Sequence, residues 1–377
     1  MRPETEAELA GMIRAARGPL SVIGGGTRLL PGEGQGTRLS TAALTGITLY
    51  EPAALTVVAR AGTPLAEIEA LLASERQRLA FEPPPAEGST IGGVIAANAS
   101  GPRRVKDGAA RDSLLGVRFV DGSGEIVSNG GRVMKNVTGY DLVKLMAGSR
   151  GTLGALTEVS LKTQPIPPES LTLALPDLDA ASAVPALTAA LTGPWDVTGA
   201  AWLPGHGALI RIEGLEGSVR LRADTLSTRL SAFGPVQPCE DDPWLLLREN
   251  IPGWRTPGKQ SGGLFSASQG QSPSGAAARS GDAIWRITCR PSQAATILTM
   301  NPDASPIALD WGASLILLSL PANTRPSLPA GTRALCLQGT HRGPLPPPDP
   351  VTRRLEDGLR ERFDPRGIFA APELTVA

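Results

Sequence analysis

Three glycine-rich segments stand out among the parts of this chain that could do chemistry. They are residues 23–28 (IGGGTR), 88–93 (GSTIGG) and 148–154 (GSRGTLG), and each follows or joins an apolar stretch. Glycine lacks a side chain, so backbone N–H groups can approach an anion closely, and serine or threonine adds a hydroxyl donor. Together these segments predict a floor that binds the diphosphate of a dinucleotide.

Two common phosphate-binding motifs do not fit the first segment. The nicotinamide-type fingerprint needs a third glycine and a helix after it. Here Leu29 stands at the third glycine position, and Pro31, Gly32, Gly34 and Gly36 follow, which predicts a loop. The sequence also has no Gly-Lys-Ser/Thr, and therefore no P-loop.

The charge balance argues against a nucleic-acid partner. The chain has 377 residues, with 36 Lys and Arg against 36 Asp and Glu, so its formal net charge is zero and no basic face is expected. Glu4, Glu6 and Glu8 stand where a signal peptide would be basic and then apolar. No apolar run approaches the roughly 20 residues of a membrane-spanning helix. We therefore expect a cytoplasmic protein.

Cysteine and histidine usage predicts that this chain holds no metal. Cys239, Cys289 and Cys336 are too widely spaced for an iron–sulfur cluster, and three cysteines fit no disulfide framework. With only His206 and His341, a histidine-built metal site is not expected either. Any metal chemistry is expected elsewhere.

The residues around the glycine segments indicate alternating helices and strands. A capping signature at Thr5 begins a helix, and an apolar strand over residues 20–23 leads into the first segment. Turn residues 121–124 predict an antiparallel hairpin. A helix over residues 140–146 precedes the third segment, and a strand over residues 153–162 follows its start.

The composition changes after residue 165, which predicts a second domain. Strands such as residues 171–175 and 208–212 alternate there with helices near 180–191 and 219–233. Residues 269–282 are rich in Gly, Ser, Ala and Gln without an apolar period, and they predict a flexible surface loop. The predicted fold class is α+β.

The order of the three segments, with Asn98-Ala99-Ser100-Gly101 after the second, resembles the FAD-binding domain of the vanillyl-alcohol oxidase and p-cresol methylhydroxylase (PCMH) superfamily. The resemblance covers about residues 1–165 and the tail at 363–374. More narrowly, residues 111–116 (RDSLLG) and 135–142 (KNVTGYDL) are similar to the glycolate oxidase and D-lactate dehydrogenase branch. The short second domain resembles that of the FAD-binding subunit of three-component bacterial glycolate oxidases.

This resemblance implies a domain plan. Residues 1–165 would form a PCMH-type FAD-binding domain of two α+β subdomains, and residues 166–345 a smaller α+β cap domain carrying the flexible loop. Residues 346–377 would return to the FAD domain.

The resemblance also implies which residues bind FAD. The first segment would hold the diphosphate, and the second would run beside the diphosphate and the flavin. Further contacts would line the isoalloxazine side or reach the adenine and ribose. The expected contacts are Ile23, Gly24, Gly25, Gly26, Thr27, Arg28, Gly88, Ser89, Thr90, Gly92, Gly93, Ala96, Asn98, Ser100, Gly101, Gly154, Ala155 and Leu156.

Three comparisons with superfamily members matter, and the last two are departures. Some members attach flavin covalently to His or Cys, but residues 1–165 contain neither, so non-covalent FAD is expected. Members that oxidise 2-hydroxy acids carry a histidine-rich metal motif in the second domain, which is missing here. The tail reads Phe369-Ala370-Ala371-Pro372 where many members have a Phe-Asn-Pro-Gly-like stretch. The catalytic residues are therefore unknown.

A few side chains of the second half remain as candidates. His206 or His341 could act as a base, although both stand alone in the sequence and are expected to be structural. Three arginines on or after predicted strands could bind a carboxylate, and four tryptophans are expected in core or rim packing. These are Arg211, Arg286 and Arg342, and Trp244, Trp254, Trp285 and Trp311.

The leading hypothesis is the FAD-binding subunit of a glycolate oxidase. A larger FAD-containing catalytic subunit and an iron–sulfur subunit would be its partners, a small 2-hydroxy acid the substrate of the complex, and the respiratory chain the electron acceptor. Association with the inner face of the cytoplasmic membrane would be peripheral and through those partners. A self-sufficient FAD-dependent dehydrogenase of another 2-hydroxy acid and a subunit with purely structural FAD remain as alternatives.

Overall fold

The computed structural model describes residues 1–131, 140–249 and 281–370. Within them, helices pack on three β-sheets of two, six and nine strands, which confirms the predicted α+β class. Some features singled out in the sequence lie outside the described residues. These are residues 135–139 of the glycolate-oxidase-like motif, Trp254, residues 269–280 of the predicted loop, and the tail from Ala371.

The first elements form a helix and a small parallel sheet. α1 (Glu6–Ala15) is capped by the Thr5 hydroxyl, as predicted. β1 (Leu20–Ile23) pairs in parallel with β2 (Thr37–Ser40). Near the other end of the chain, the Ala370 N–H donates to the carbonyl of the first residue of β1 at 2.8 Å. Residues far apart in the sequence therefore meet beside the first glycine segment.

A six-stranded antiparallel sheet lies at the centre of the N-terminal part. Its strands are β3 (Ile47–Glu51), β4 (Thr56–Arg60), β5 (Gln77–Leu79), β6 (Leu114–Val120), β7 (Ile126–Gly130) and β8 (Ala155–Pro165). They run in the order β3-β4-β8-β6-β7, and β5 pairs with β8. The Asp121 carboxylate accepts a hydrogen bond from the Glu125 N–H at 2.9 Å in the turn between β6 and β7. The predicted hairpin is confirmed.

Short helices connect these strands. They are α2 (Leu65–Ser74), α3 (Ile91–Ala96), α4 (Arg104–Asp107), α5 (Ala110–Ser113) and α6 (Leu142–Met146). The second glycine segment includes the N-terminal cap and the first turn of α3. The Thr90 hydroxyl accepts a hydrogen bond from the Gly93 N–H at 3.3 Å, and this cap satisfies one of the free N–H groups that a new helix exposes.

Residues between 169 and 345 build a nine-stranded antiparallel sheet. Its strands are β9 (Glu169–Leu175), β10 (Val197–Leu203), β11 (Gly207–Gly214), β12 (Gln237–Pro238), β13 (Ala283–Thr288), β14 (Ser305–Asp310), β15 (Leu315–Leu320), β16 (Arg333–Gln338) and β17 (Pro344–Leu345). They run in the order β12-β9-β11-β10-β14-β15-β13-β16-β17.

The two faces of this sheet are covered differently. The remaining helices are α7 (Ala180–Leu191), α8 (Glu216–Leu230), α9 (Pro243–Glu249), α10 (Pro291–Met300) and α11 (Pro350–Phe363). α7, α8 and α10 pack on one face, where Leu187 and Ile297 are buried with Trp285. The other face packs on the N-terminal part, where Ile284 shares a core with Ile95. Alternate residues of one strand thus serve two different cores.

α11 lies on the surface, and none of its side chains is buried. Its charged residues face solvent. Across the described stretches of the chain, every helix is too short or too polar to cross a membrane.

Candidate functional site

An open cleft lies where the three glycine segments meet. Its walls are the loop after β1, the first turn of α3 and the loop before β8. The lining residues are Val22, Ile23, Gly24, Gly25, Gly26, Thr27, Arg28, Leu29, Glu33, Thr41, Thr90, Gly92, Gly93, Ala96, Ala97, Ser149, Arg150, Gly151, Gly154 and Leu156.

The close approach of the first two segments requires glycine. A Cβ added at Gly25 would lie 1.7 Å from the Gly88 carbonyl oxygen, and one added at Gly24 would lie 2.3 Å from the Thr90 hydroxyl oxygen. Real Cβ atoms do not come this close to other atoms, so a side chain at Gly25 would require the backbone to shift, and one at Gly24 would require the Thr90 side chain to move. The cleft wall is therefore backbone here, and a bound anion can reach it.

Arg28 links the first segment to the second. Its guanidinium donates to the Thr27 hydroxyl at 3.0 Å, to the Pro84 carbonyl at 2.6 Å and to the Ser89 hydroxyl. Burial lowers the pKa of Arg28 to about 10, so the side chain remains a cation at neutral pH. A buried guanidinium in the wall of the cleft favours an anionic ligand such as a diphosphate.

Arg150 joins the third segment to the first. Its Nη2 donates to the Glu33 carboxylate at 2.6 Å, and the same nitrogen donates to the Arg28 carbonyl. Beside it, Gly151 has a φ of +76°, and a Cβ there would lie 3.1 Å from the Val22 Cβ. All three glycine segments therefore meet at one place.

Most of the expected FAD contacts line this cleft. These are Ile23, Gly24, Gly25, Gly26, Thr27, Arg28, Thr90, Gly92, Gly93, Ala96, Gly154 and Leu156. The expected contacts that do not line it are Gly88, Ser89, Asn98, Ser100, Gly101 and Ala155.

Local structure explains these exceptions. Ala155 and Leu156 are neighbours on β8, so their side chains point to opposite faces, and Ala155 is buried in the core beneath α1. The side chains of Asn98 and Ser100 accept hydrogen bonds from the first two N–H groups of α5, at 3.0 and 2.9 Å. They stabilise the turn there, while Gly88 and Ser89 support the cleft wall through Gly25 and Arg28.

Several lining residues were not expected: Val22, Leu29, Glu33, Thr41, Ala97, Ser149, Arg150 and Gly151. The glycine-rich composition of the third segment does predict that Ser149, Arg150 and Gly151 lie near the cofactor. The resemblance to the superfamily implied FAD contacts only at residues 154–156 of this region. Glu33 carries no local signal, because its role depends on an ion pair with a residue far along the chain.

The residues of the cleft fit FAD. Backbone-lined walls, the Thr27 and Thr90 hydroxyls and the Arg28 cation suit a diphosphate. Glu33 is the one acidic residue among the described residues that line the cleft. Its carboxylate is paired with Arg150. No His or Cys occurs among the described residues that line the cleft.

Buried ion pairs join the nine-stranded sheet to the N-terminal part. Glu82 accepts hydrogen bonds from Arg211 of β11 at 3.1 and 2.8 Å. Glu213, also on β11, accepts from Arg103 and, at 3.2 Å, from Arg78. Burial alone would raise the pKa of Glu213, but these arginines outweigh it and hold that pKa at about 2. Arg211 is thus neutralised within the protein and is not available to a substrate carboxylate.

Tryptophans pack at the same boundary. Trp244 lies against Arg211, whose Cζ is 4.5 Å from the ring centre, and donates to the Thr172 hydroxyl at 2.8 Å. Trp311 donates from Nε1 to the Gly101 carbonyl at 3.0 Å. Both contacts fit the predicted packing role.

The two histidines lie away from the cleft. His206 is in the turn between β10 and β11, with Nδ1 3.4 Å from the Pro204 carbonyl oxygen. His341 packs against Trp285 in a tilted arrangement, with 5.2 Å between ring centres, and lines a separate cavity together with Cys336. Burial lowers the pKa of His341. Neither histidine is placed to act on a ligand in the cleft.

The described part of the chain shows no cluster of three His, Cys, Asp or Glu that could hold a metal.

Comparison with known proteins agrees with this site. A family model described as an FAD binding domain matches residues 1–130. The chain is 34% identical over 330 residues to glycolate oxidase subunit GlcE of Escherichia coli (strain K12), covering 86% of this chain and 83% of that one. It is 36% identical over 162 residues to a D-lactate dehydrogenase of Anaerostipes hadrus, covering 42% of this chain and 34% of that enzyme. Among solved structures, an alkyldihydroxyacetonephosphate synthase matches with a TM-score of 0.64 at 15% identity, covering 98% of this chain and 76% of that one.

The FAD-binding family model and the relatives define the class of protein as a flavoprotein oxidoreductase, and its fold is of the PCMH type. More narrowly, the chain belongs to the family of glycolate oxidase subunit GlcE, because the similarity extends over most of both chains. The predictions of FAD as cofactor and of an oxidoreductase are confirmed.

Proposed function

We propose that this chain is the FAD-carrying subunit of a heteromeric glycolate oxidase that converts glycolate to glyoxylate. The observation that carries the proposal is the similarity to GlcE along 330 residues. The relatives are named for glycolate and D-lactate, and both of these are small 2-hydroxy acids.

In this proposal, residues 1–165 and 346–377 hold FAD, and residues 166–345 form the cap over it. The diphosphate lies against residues 23–28 and beside Thr90, with Arg28 as the nearby cation. FAD is held without a covalent bond, because the described lining offers no His or Cys. When bound, FAD supplies the hydride acceptor for oxidation of the substrate.

The proposed partners are a larger FAD-containing catalytic subunit and an iron–sulfur subunit that passes electrons to the respiratory chain. The absence of a histidine base among the described lining residues supports this division of labour. So does the state of the three cysteines, which are free and lie apart. We place the complex in the cytoplasm, with peripheral membrane association through its partners.

Co-purification tests the proposed partners. The affinity-tagged chain, isolated from its native host under mild conditions, is expected to bring down a second flavoprotein and a protein containing iron and acid-labile sulfide. Mass spectrometry identifies them, and flavin and iron assays give their cofactors. An unrelated cytoplasmic protein with the same tag is the control. Recovery of the chain alone, with glycolate-oxidising activity in other fractions, would contradict the proposal.

A further inference from the structure

Two arginines at the boundary between the nine-stranded sheet and the N-terminal part converge on one indole ring. The Cζ of Arg104, on α4, is 4.3 Å from the centre of the Trp311 ring. The Cζ of Arg286, on β13, is 5.3 Å from the same ring. Both side chains are half-buried, and each has cation–π contact with Trp311. Two like charges are thus held together against their repulsion.

These two guanidinium groups differ from the other arginines around them. Arg78, Arg103 and Arg211 each bind a buried glutamate, and Arg150 binds Glu33. Among the described residues, neither Arg104 nor Arg286 has a carboxylate within 4.0 Å or donates a side-chain hydrogen bond. In the rest of the sequence, Glu373 is the one acidic side chain. A partly buried charge without a carboxylate in direct contact is costly, so the pair favours an anion.

The surrounding groups support an anion at this place. Burial, with the charges of Arg104 and Arg150, lowers the pKa of Arg286 to about 10, which still leaves the side chain protonated at neutral pH. Burial raises the pKa of the nearby carboxyl of Asp310 to about 8, so at pH 7 this acid is mostly neutral. Asp310 therefore does not provide the missing negative charge at pH 7.

Two connections relate the arginine pair to the cleft, although neither arginine nor Trp311 lines it. The Trp311 indole donates to the Gly101 carbonyl, and residues 98–101 continue from α3, whose last residues line the cleft. On the other side, Arg150 lines the cleft and is close enough to Arg286 to influence its pKa. A small anion bound by the pair would lie beside the proposed flavin position.

We propose that Arg104 and Arg286, held by Trp311, bind the carboxylate of a small acid next to the flavin. The inference rests on the proposed function only for the choice of a carboxylate as the anion. Planar guanidinium groups match the geometry of a carboxylate. The site binds the acid without oxidising it in the isolated chain, since neither histidine lies there.

The test is a calorimetric titration of the FAD-loaded full chain with oxalate, a dicarboxylate that cannot lose a hydride. Arg104→Met and Arg286→Met are each expected to weaken oxalate binding roughly 10-fold or more, since each removes charged hydrogen bonds. Arg286→Lys keeps the charge but loses the planar fork, and an intermediate loss is expected. The control is Arg220→Met, because Arg220 pairs with Glu216 on exposed α8 and its loss leaves oxalate affinity unchanged.

Stability separates an anion site from a structural contact. Without anion, Arg286→Met is expected to unfold at the same or a higher temperature than the wild type, because a repulsion is removed. Oxalate is expected to raise the unfolding temperature of the wild type and not that of the variant.

Wild-type affinity in both methionine variants would overturn the inference, and so would a variant that is destabilised while its oxalate affinity is unchanged. Inorganic phosphate that binds as tightly as oxalate, and through the same arginines, would also overturn it, by showing a phosphate site. The flavin content of each preparation is measured first. A chain that cannot be loaded with FAD contradicts the proposed function, whereas a loaded chain that ignores oxalate contradicts this inference alone.

Discussion

Gly25→Ala is expected to abolish stable FAD binding. The new Cβ would lie 1.7 Å from the Gly88 carbonyl oxygen, so the first two glycine segments must separate by more than about 1 Å to reach an ordinary contact distance. Backbone hydrogen bonds to a charged diphosphate are then lost, and FAD affinity should fall at least about 100-fold. Flavin absorbance per protein after gel filtration, followed by titration of the apoprotein with FAD, measures the effect.

Two further variants act as controls for this prediction. A Cβ at Gly18 meets no atom within 4 Å, so Gly18→Ala should bind FAD as the wild type does. At Gly93 the nearest atom is the Thr90 hydroxyl oxygen at 3.3 Å, so Gly93→Ala should weaken FAD binding less than Gly25→Ala does. Circular dichroism checks that each variant is folded. Wild-type FAD affinity in a folded Gly25→Ala protein would show that the cofactor does not depend on this contact.

Glu213→Gln is expected to lower the free energy of unfolding by about 3–5 kcal/mol, because it leaves buried arginines without their partner. Glu213 accepts hydrogen bonds from Arg103 and Arg78 at the boundary of the nine-stranded sheet. Chemical denaturation measures the loss. The control is Glu216→Gln on exposed α8, where the pair with Arg220 is in solvent and the change should be below about 1 kcal/mol.

The same carboxylate predicts a pH dependence. Its pKa is about 2 in the folded protein and about 4.3 in an unfolded chain. The folded state therefore binds fewer protons than the unfolded state between these values, so the stabilisation is complete above the unfolded pKa and is lost as the pH falls toward 2. Glu213→Gln should show a weaker loss of stability over that range. Parallel pH profiles for the two proteins would contradict this assignment.

Local patterns predicted much of the fold. The helix over residues 180–191 has the predicted bounds, since Asp179 caps it and apolar residues recur at helical spacing. The meeting of the three glycine segments was also predictable, because a diphosphate needs several backbone donors together. The start of α3 could not be predicted, because a Thr followed by two nearby glycines also fits a loop. The Thr90 cap, in its packed surroundings, favours the helix.

The roles of individual arginines could not be predicted. Arg211 and Arg286 both lie on strands of the nine-stranded sheet and look equivalent in the sequence. Glu82 neutralises Arg211, while Arg286 meets Trp311 and another arginine. Glu82 and Arg211, and likewise Arg286 and Arg104, are more than 100 positions apart, and no local pattern encodes their proximity. The pairing of Glu33 with Arg150 could not be predicted either, because these residues are also far apart in the sequence.

Anaerobic mixing with glycolate tests the central claim most directly. The FAD-loaded chain alone and the co-purified complex are mixed with glycolate in a stopped-flow spectrometer, and the absorbance of the oxidised flavin is followed. A division of labour between subunits predicts that the flavin of the isolated chain stays oxidised, while the complex is reduced and forms glyoxylate. Rapid reduction of the isolated chain with full turnover would contradict it and would identify a self-sufficient dehydrogenase.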